Sequence, residues 1–218
     1  MAGLFDEESG PGTEDDGLFE RPLFGEANDN PYGAGLAEGI AAGTRIATED
    51  GWRRVETINP GERVLTFDHG PRRVQQIMRA TLSDGCSHRP PHMLPLEVPP
   101  GVLGNAEAMM LLPEQIVLIE SDLAETLYDD PFALIPAAAL EGYRGVARIA
   151  PQQSFEVIFL QFEGEEVVYA NGAGMILCGS ADGTSLDALM EGRGDYRVLP
   201  LDKARRLVEA LIEDERAE

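Results

Sequence analysis

Cysteine is nearly absent from this chain. Cys86 and Cys178 are the only two in 218 residues. That is too few for a disulfide framework and fits a reducing compartment. Positive charge is scarce as well, with 17 Lys and Arg against 39 Asp and Glu and a formal net charge of −22. Such a surface repels phosphate backbones and anionic headgroups, so the expectation is no nucleic-acid and no membrane partner. No uncharged apolar stretch approaches the ~20 residues that span a bilayer. The N-terminus lacks the basic and apolar regions of a signal peptide. The sequence therefore reads as a soluble cytoplasmic protein.

What is present is ordinary core material, 43% hydrophobic, punctuated by 24 Gly and 15 Pro. The length allows one large or two small domains with a substantial core. Residues 1–35 differ from the rest: they carry nine acids against one base, Arg21, with seven glycines and three prolines. That composition cannot bury enough apolar surface to offset ordering entropy, and the segment reads as an acidic arm, disordered or ordered by a partner. Three apolar pairs interrupt it, Leu4-Phe5, Leu18-Phe19 and Leu23-Phe24. Two readings stand side by side: a solvated tail with incidental hydrophobes, or an interaction segment whose Leu and Phe anchors dock on another protein.

From Gly43 onward the pattern becomes short strands and tight turns. Strands are expected at 44–48, 52–58, 63–67 and 74–82, separated by Glu49-Asp50-Gly51, Asn59-Pro60-Gly61 and Asp68-His69-Gly70. Residues 83–100 hold five prolines and read as loop or edge strand. Residues 109–119 and 155–169 supply further strands, and 131–142 a short helix ending at Gly142. After Pro200 the period changes. Leu201, Ala204, Leu207, Val208, Leu211 and Ile212 form one apolar stripe, an amphipathic helix expected to pack on its own domain. The organisation is thus an arm at 1–35, an all-β domain at 36–199 and a C-terminal helix at 200–218.

Three ordered blocks carry a family resemblance. The first opens at Gly39-Ile40-Ala41-Ala42-Gly43-Thr44-Arg45-Ile46 and continues through Val55-Glu56 and Pro60-Gly61-Glu62-Arg63-Val64-Leu65-Thr66. The second runs from Gly101-Val102-Leu103-Gly104-Asn105 to Leu112-Pro113-Glu114-Gln115-Ile116-Val117-Leu118, and the third is Glu166-Val167-Val168-Tyr169-Ala170-Asn171-Gly172. Over residues 39–177 the chain resembles the bacterial Hint (Hedgehog/intein) domain family. The resemblance implies an all-β flattened horseshoe with pseudo-twofold symmetry and short helices.

It also implies a chemistry. An active Hint domain uses a Cys or Ser at its first position to attack the preceding carbonyl, forming a thioester or ester that a second nucleophile resolves. A Thr or Ser and a His in the second block orient that bond and protonate the leaving amine. Here Gly39 stands at the nucleophile position, Leu112 at the hydroxyl position and Gln115 at the histidine position. Glycine has no side chain to attack with, leucine cannot hydrogen-bond, and a glutamine amide cannot shuttle a proton.

The expectation is a catalytically inactive Hint-like module, structural or protein-binding, that needs no cofactor and no metal. The alternative is a self-cleaving protein with a non-standard nucleophile. Lesser candidates are a zinc site from Cys86, His88 and His92, completed by Asp84 or His69, and a cysteine hydrolase on Cys86 or Cys178. Glu163, Glu165 and Glu166 read as a solvated hairpin tip around Gly164, and Asn171-Gly172 as a turn.

Overall fold

The structure is a computed structural model describing residues 39–82, 90–181 and 196–217. The acidic arm expected at 1–35, with Leu4, Phe5, Leu18, Phe19, Leu23 and Phe24, lies outside the described residues, as do Asp84, Cys86 and His88.

The strands in chain order are β1 (Ile40–Ala41), β2 (Arg45–Thr48), β3 (Gly51–Arg54), β4 (Arg63–Thr66), β5 (Gly70–Arg73), β6 (Gln76–Leu82), β7 (Leu96–Val98), β8 (Met109–Leu111), β9 (Ile116–Glu120), β10 (Phe132–Pro136), β11 (Ala147–Arg148), β12 (Phe155–Gln161), β13 (Glu166–Ala170) and β14 (Gly174–Cys178). Among the described residues two α-helices accompany them, α1 (Asp122–Tyr128) and α2 (Leu201–Ala217). The strands form three antiparallel sheets. An eight-stranded sheet runs β10-β9-β14-β13-β2-β4-β5 with β3 on β2; the smaller two are β1-β12-β6 and β11-β7-β8. This is the all-β curled-sheet architecture expected from the sequence, closed by a C-terminal helix.

The main core lies inside the curl. Ile46, Val64, Val117, Ile135, Ile158, Leu160, Phe162 and Val168 come from six strands and the segment after β12, and all are buried. The amphipathic stripe of α2 faces the same core through Ala204, Leu207 and Val208, while Leu201, Leu211 and Ile212 pack at its margin. Leu199 N–H donates to Leu134 O (2.8 Å) and sets the entry into α2. The helix therefore packs on its own domain, as its period implies.

Local readings are corrected in four places. The strand expected over 52–58 ends at Arg54, because Val55–Thr57 turns as a short 3-10 helix that buries Val55. The helix expected over 131–142 is strand β10, captured by pairing with β9, followed by a 3-10 turn at Ala137–Leu140 that holds the three alanines. The α-helix of that region is α1, whose N-cap Ser121 accepts a hydrogen bond from Leu123 N–H (3.1 Å). In the proline-rich stretch, Leu96–Val98 is the central strand of its sheet, paired on both sides with β11 and β8.

Candidate functional site

β1 is two residues long and pairs antiparallel with β12, Ile40 opposite Ile158 and Ala41 opposite Val157. Gly39 arrives just before it, alongside Phe159. A Cβ on Gly39 would lie 2.1 Å from Val157 Cγ1 and 2.8 and 2.9 Å from the Phe159 ring atoms Cζ and Cε1. The space that a side chain at residue 39 would need is therefore filled. On β12 the residues alternate across the pleat, so Phe155, Val157 and Phe159 share one face. Register with β6 sets Leu82, Ala80 and Met78 opposite them.

Leu112 completes this cluster. It is fully buried with Leu82 and Val157, and Met93, Phe155 and Phe159 pack half-buried around them. Pro113 follows it, in the link between β8 and β9. Gly39 and Leu112 thus meet the same side chain, Val157. The sequence had a signal for this that spacing against the family blocks did not use: the alternating apolar residues Phe155, Val157 and Phe159.

Gln115 is buried too, but its amide is aimed elsewhere. Nε2 donates to Leu177 O on β14 (3.2 Å), while Oε1 is buried without a hydrogen-bond partner among the described residues. Its backbone ties two turns, donating to Leu112 O (3.0 Å) and accepting from Ala137 N–H (2.8 Å). These contacts hold β9 against β14 and leave the amide no proton-transfer role.

The turn residues behave as the sequence implies. Asn171 adopts a left-handed backbone (φ 48°) between β13 and β14; its Oδ1 accepts from Arg45 N–H (2.7 Å) and its N–H donates to Arg45 O (2.8 Å). Gly172 has φ 118°, and a Cβ there would press on Gly104 O (3.0 Å) and Ala106 N (3.1 Å). Only glycine fits that approach.

A second polar cluster sits at the β4–β5 turn, and it corrects the reading of the acids around Gly164. Glu163 is exposed, but Glu165 and Glu166 are buried. Glu166 Oε1 accepts from Arg72 Nε (2.8 Å) and Oε2 lies 2.9 Å from His69 Nδ1. Tyr196 OH donates to Asp68 Oδ2 beside them, and these residues line a cleft of about 540 Å³. His69 is committed to Glu166 rather than to a shared metal position. His92 is exposed, and its carbonyl accepts from Arg148 Nη1 (2.7 Å). Among the described residues no group of three or more His, Cys, Asp or Glu could hold a metal ion.

Cys178 is a free, buried thiol. Burial first, and the Glu166 carboxylate second, push its pKa up to about 12. It stays protonated near neutral pH, opposite to what a nucleophile needs. A third cluster joins the helix end to a tight turn: Tyr143 OH (3.0 Å) and Arg144 Nε (2.6 Å) both donate to Glu215 Oε1. Burial and the Glu215 carboxylate raise the Tyr143 pKa, and the Arg144 hydrogen bond lowers that of Glu215.

Among the described residues no helix is long and apolar enough to cross a membrane. No curated protein matches the chain. Among solved structures, a bacterial intein-like domain from Clostridium thermocellum is similar at 13% identity, covering 66% of this chain and 99% of its own, with TM-score 0.45. The MchDnaB-1 intein is similar at 15% identity (65% and 99% covered, TM-score 0.41), and the gp41-1 intein at 11% (65% and 98%, TM-score 0.39). The family model described as "Hint domain" matches residues 39–175, well over half of the chain, and it is this match that makes the protein a member of the Hint domain family.

Proposed function

We propose that this Hint domain does not cleave itself and serves as a structural or protein-binding module with an acidic arm at its N-terminal side. The observation that carries the reading is the filled position at Gly39. Val157 and Phe159 stand where a nucleophilic side chain would be, and Leu112 seals the same cluster. Acyl transfer needs a nucleophile within reach of a carbonyl and a group to protonate the leaving amine. Gly39 supplies no nucleophile, and Gln115 can neither take nor give a proton.

In place of chemistry the domain offers a rigid scaffold from which residues 1–38 emerge. Those residues carry the Leu-Phe pairs Leu4-Phe5, Leu18-Phe19 and Leu23-Phe24 among acids, a pattern suited to apolar anchoring with electrostatic steering toward a basic partner protein. The reading involves no cofactor, nucleic acid or membrane, and the cysteine usage favours a reducing compartment. Intact-mass measurement tests the inactivity: the full chain incubated with and without thiol keeps its mass, and a product beginning at Gly39 refutes it. Affinity capture from native extract with the full chain, against a chain lacking residues 1–35, tests the arm. The same captured proteins from both would remove its role.

A further inference from the structure

We propose that the open edge of β3 is a strand-addition site for an extended acidic segment of another protein, with Trp52 as its apolar anchor and Arg45 and Arg54 as its anion contact. The inference rests on the protein-binding reading above and places a second contact surface away from the arm. Among the described residues β3 pairs only with β2, Trp52 opposite Ala47 and Arg54 opposite Arg45. Hydrogen bonds at the end of this ladder fix its alternation. Val55 N–H donates to Thr44 O (2.8 Å), while the Arg45 N–H and C=O turn the other way, to Asn171. Arg45 with Arg54, and by the same alternation Ala47 with Trp52, are therefore non-hydrogen-bonded pairs. The Trp52 N–H and C=O and the Arg54 N–H point away from β2, to the open side. Arg54 O already accepts from the Thr57 hydroxyl (2.7 Å). Such a row of backbone groups can take one more strand.

The side chains select the occupant. Ile46 of β2 enters the core, so Arg45, Ala47, Trp52 and Arg54 stand on the outer face. Trp52 is 47% exposed and packs in none of the hydrophobic clusters. Its ring borders an open cleft of about 120 Å³ with Arg45, Ala106 and Glu107. Trp and Arg are the residue types that most often anchor protein interfaces. Non-hydrogen-bonded pairs bring side chains closest, and like charges directly opposite repel. Glu107 lies 3.6 Å from Arg45 and Glu56 lies 4.0 Å from Arg54, loose surface contacts that offset little of this. Residues 45–79 hold seven arginines against five acids in a chain of net charge −22. This flank therefore attracts an anionic segment that the rest of the surface repels, and its arginines turn away basic strands. Register sets the pattern of an incoming antiparallel strand. The residue opposite Trp52 is apolar, and the one two places away, opposite Arg54, is acidic.

Trp52 is the only tryptophan in the chain, so its fluorescence reports the site directly. The probes are two blocked hexapeptides, Thr-Glu-Thr-Val-Thr-Glu and its counterpart with Lys in place of Glu. Each is titrated into the full chain while amide hydrogen exchange is followed by NMR. The Glu peptide should shift the Trp52 emission and, at saturation, slow exchange of the Trp52 and Arg54 amides about tenfold or more. The Lys peptide should bind about tenfold more weakly or worse, and raising salt from about 0.05 to 0.5 M should weaken the Glu peptide. Arg54→Glu, an exposed substitution checked by circular dichroism, should reverse the preference between the two peptides. Equal binding of both peptides to the parent chain overturns the proposal. So does a fluorescence change without slowed Trp52 exchange, since no strand would then have been added. A short oligothymidylate that displaces the Glu peptide at lower concentration would make the ligand a nucleic acid. Trp52 protection that grows with protein concentration alone would make it a second copy. Either result overturns the acidic segment. The test is independent of the arm: failure here leaves the capture experiment standing, and identical capture without residues 1–35 leaves the β3 edge untouched.

Discussion

Replacing Gly39 by cysteine places a thiol at the proposed nucleophile position and tests whether the fold has room for it. Gly39 carries no left-handed backbone requirement, so the substitution meets steric resistance alone. The new Cβ would sit 2.1 Å from Val157 Cγ1 and under 3 Å from the Phe159 ring. Val157 is fully buried and cannot swing aside, and β1 is held to it by the Ala41 pairing. Overpacking of this kind costs about 1–3 kcal/mol, against a gain of about 0.4–1 kcal/mol from the less flexible unfolded chain. The net expectation is about 1–2 kcal/mol of destabilisation, or roughly 2–8 °C in Tm for a domain of this size.

Val157→Ala opens the space at its own cavity cost of about 1–3 kcal/mol. The double variant Gly39→Cys/Val157→Ala should then be more stable than the sum of the singles by about 0.5–3 kcal/mol. Urea and thermal unfolding of the four proteins measure the cycle. Strict additivity, or a Gly39→Cys protein as stable as the parent, would refute the packing argument. The triple change Gly39→Cys/Leu112→Thr/Gln115→His should still leave the intact mass unaltered in thiol, because the side chain of residue 115 is directed to Leu177 rather than to residue 39. Cleavage before residue 39 in that protein would show the centre to be open after all.

Arg72→Met removes the main partner of the buried Glu166 carboxylate and should cost about 3 kcal/mol in urea unfolding, most of it recovered in Arg72→Met/Glu166→Leu; no recovery would mean the pair is not the source. Cys178 should resist iodoacetamide at pH 8 in the folded state, since a thiol with pKa about 12 is about one part in 10⁴ thiolate, and react once urea unfolds the chain. Glu215→Gln should flatten the acid limb of stability. The Glu215 pKa is depressed in the fold, so its contribution is present above the ordinary carboxylate value of 4.5 and lost as pH falls through the depressed one. Tm measured between pH 2 and 7 checks this, and parallel curves for the two proteins would count against it.

Much of the architecture is legible in the sequence because turn chemistry marks it. Asp50-Gly51, Pro60-Gly61 and Asn171-Gly172 fall where the chain reverses, and the apolar stripe of α2 gives its period and packing face. What the sequence hides is decided across the fold. The Ala137-Ala138-Ala139 run favours helix locally, yet the segment before it is captured by β9. Glu165 and Glu166 look like a wet hairpin tip until Arg72 and His69, over 90 residues earlier, close over Glu166. At the site, the family blocks point to Gly39, Leu112 and Gln115, but the side chains that crowd residue 39 come from β12, which belongs to none of those blocks.

The position of β13 has a further consequence, for how the chain is made. It sits between β14 and β2 in the large sheet and also touches β4, so residues 45–66 wait for residues 166–170 before that sheet is complete. During synthesis β2 and β4 wait about a hundred residues or more for β13, their neighbour in the sheet, exposing strand edges of the kind that associate with other chains.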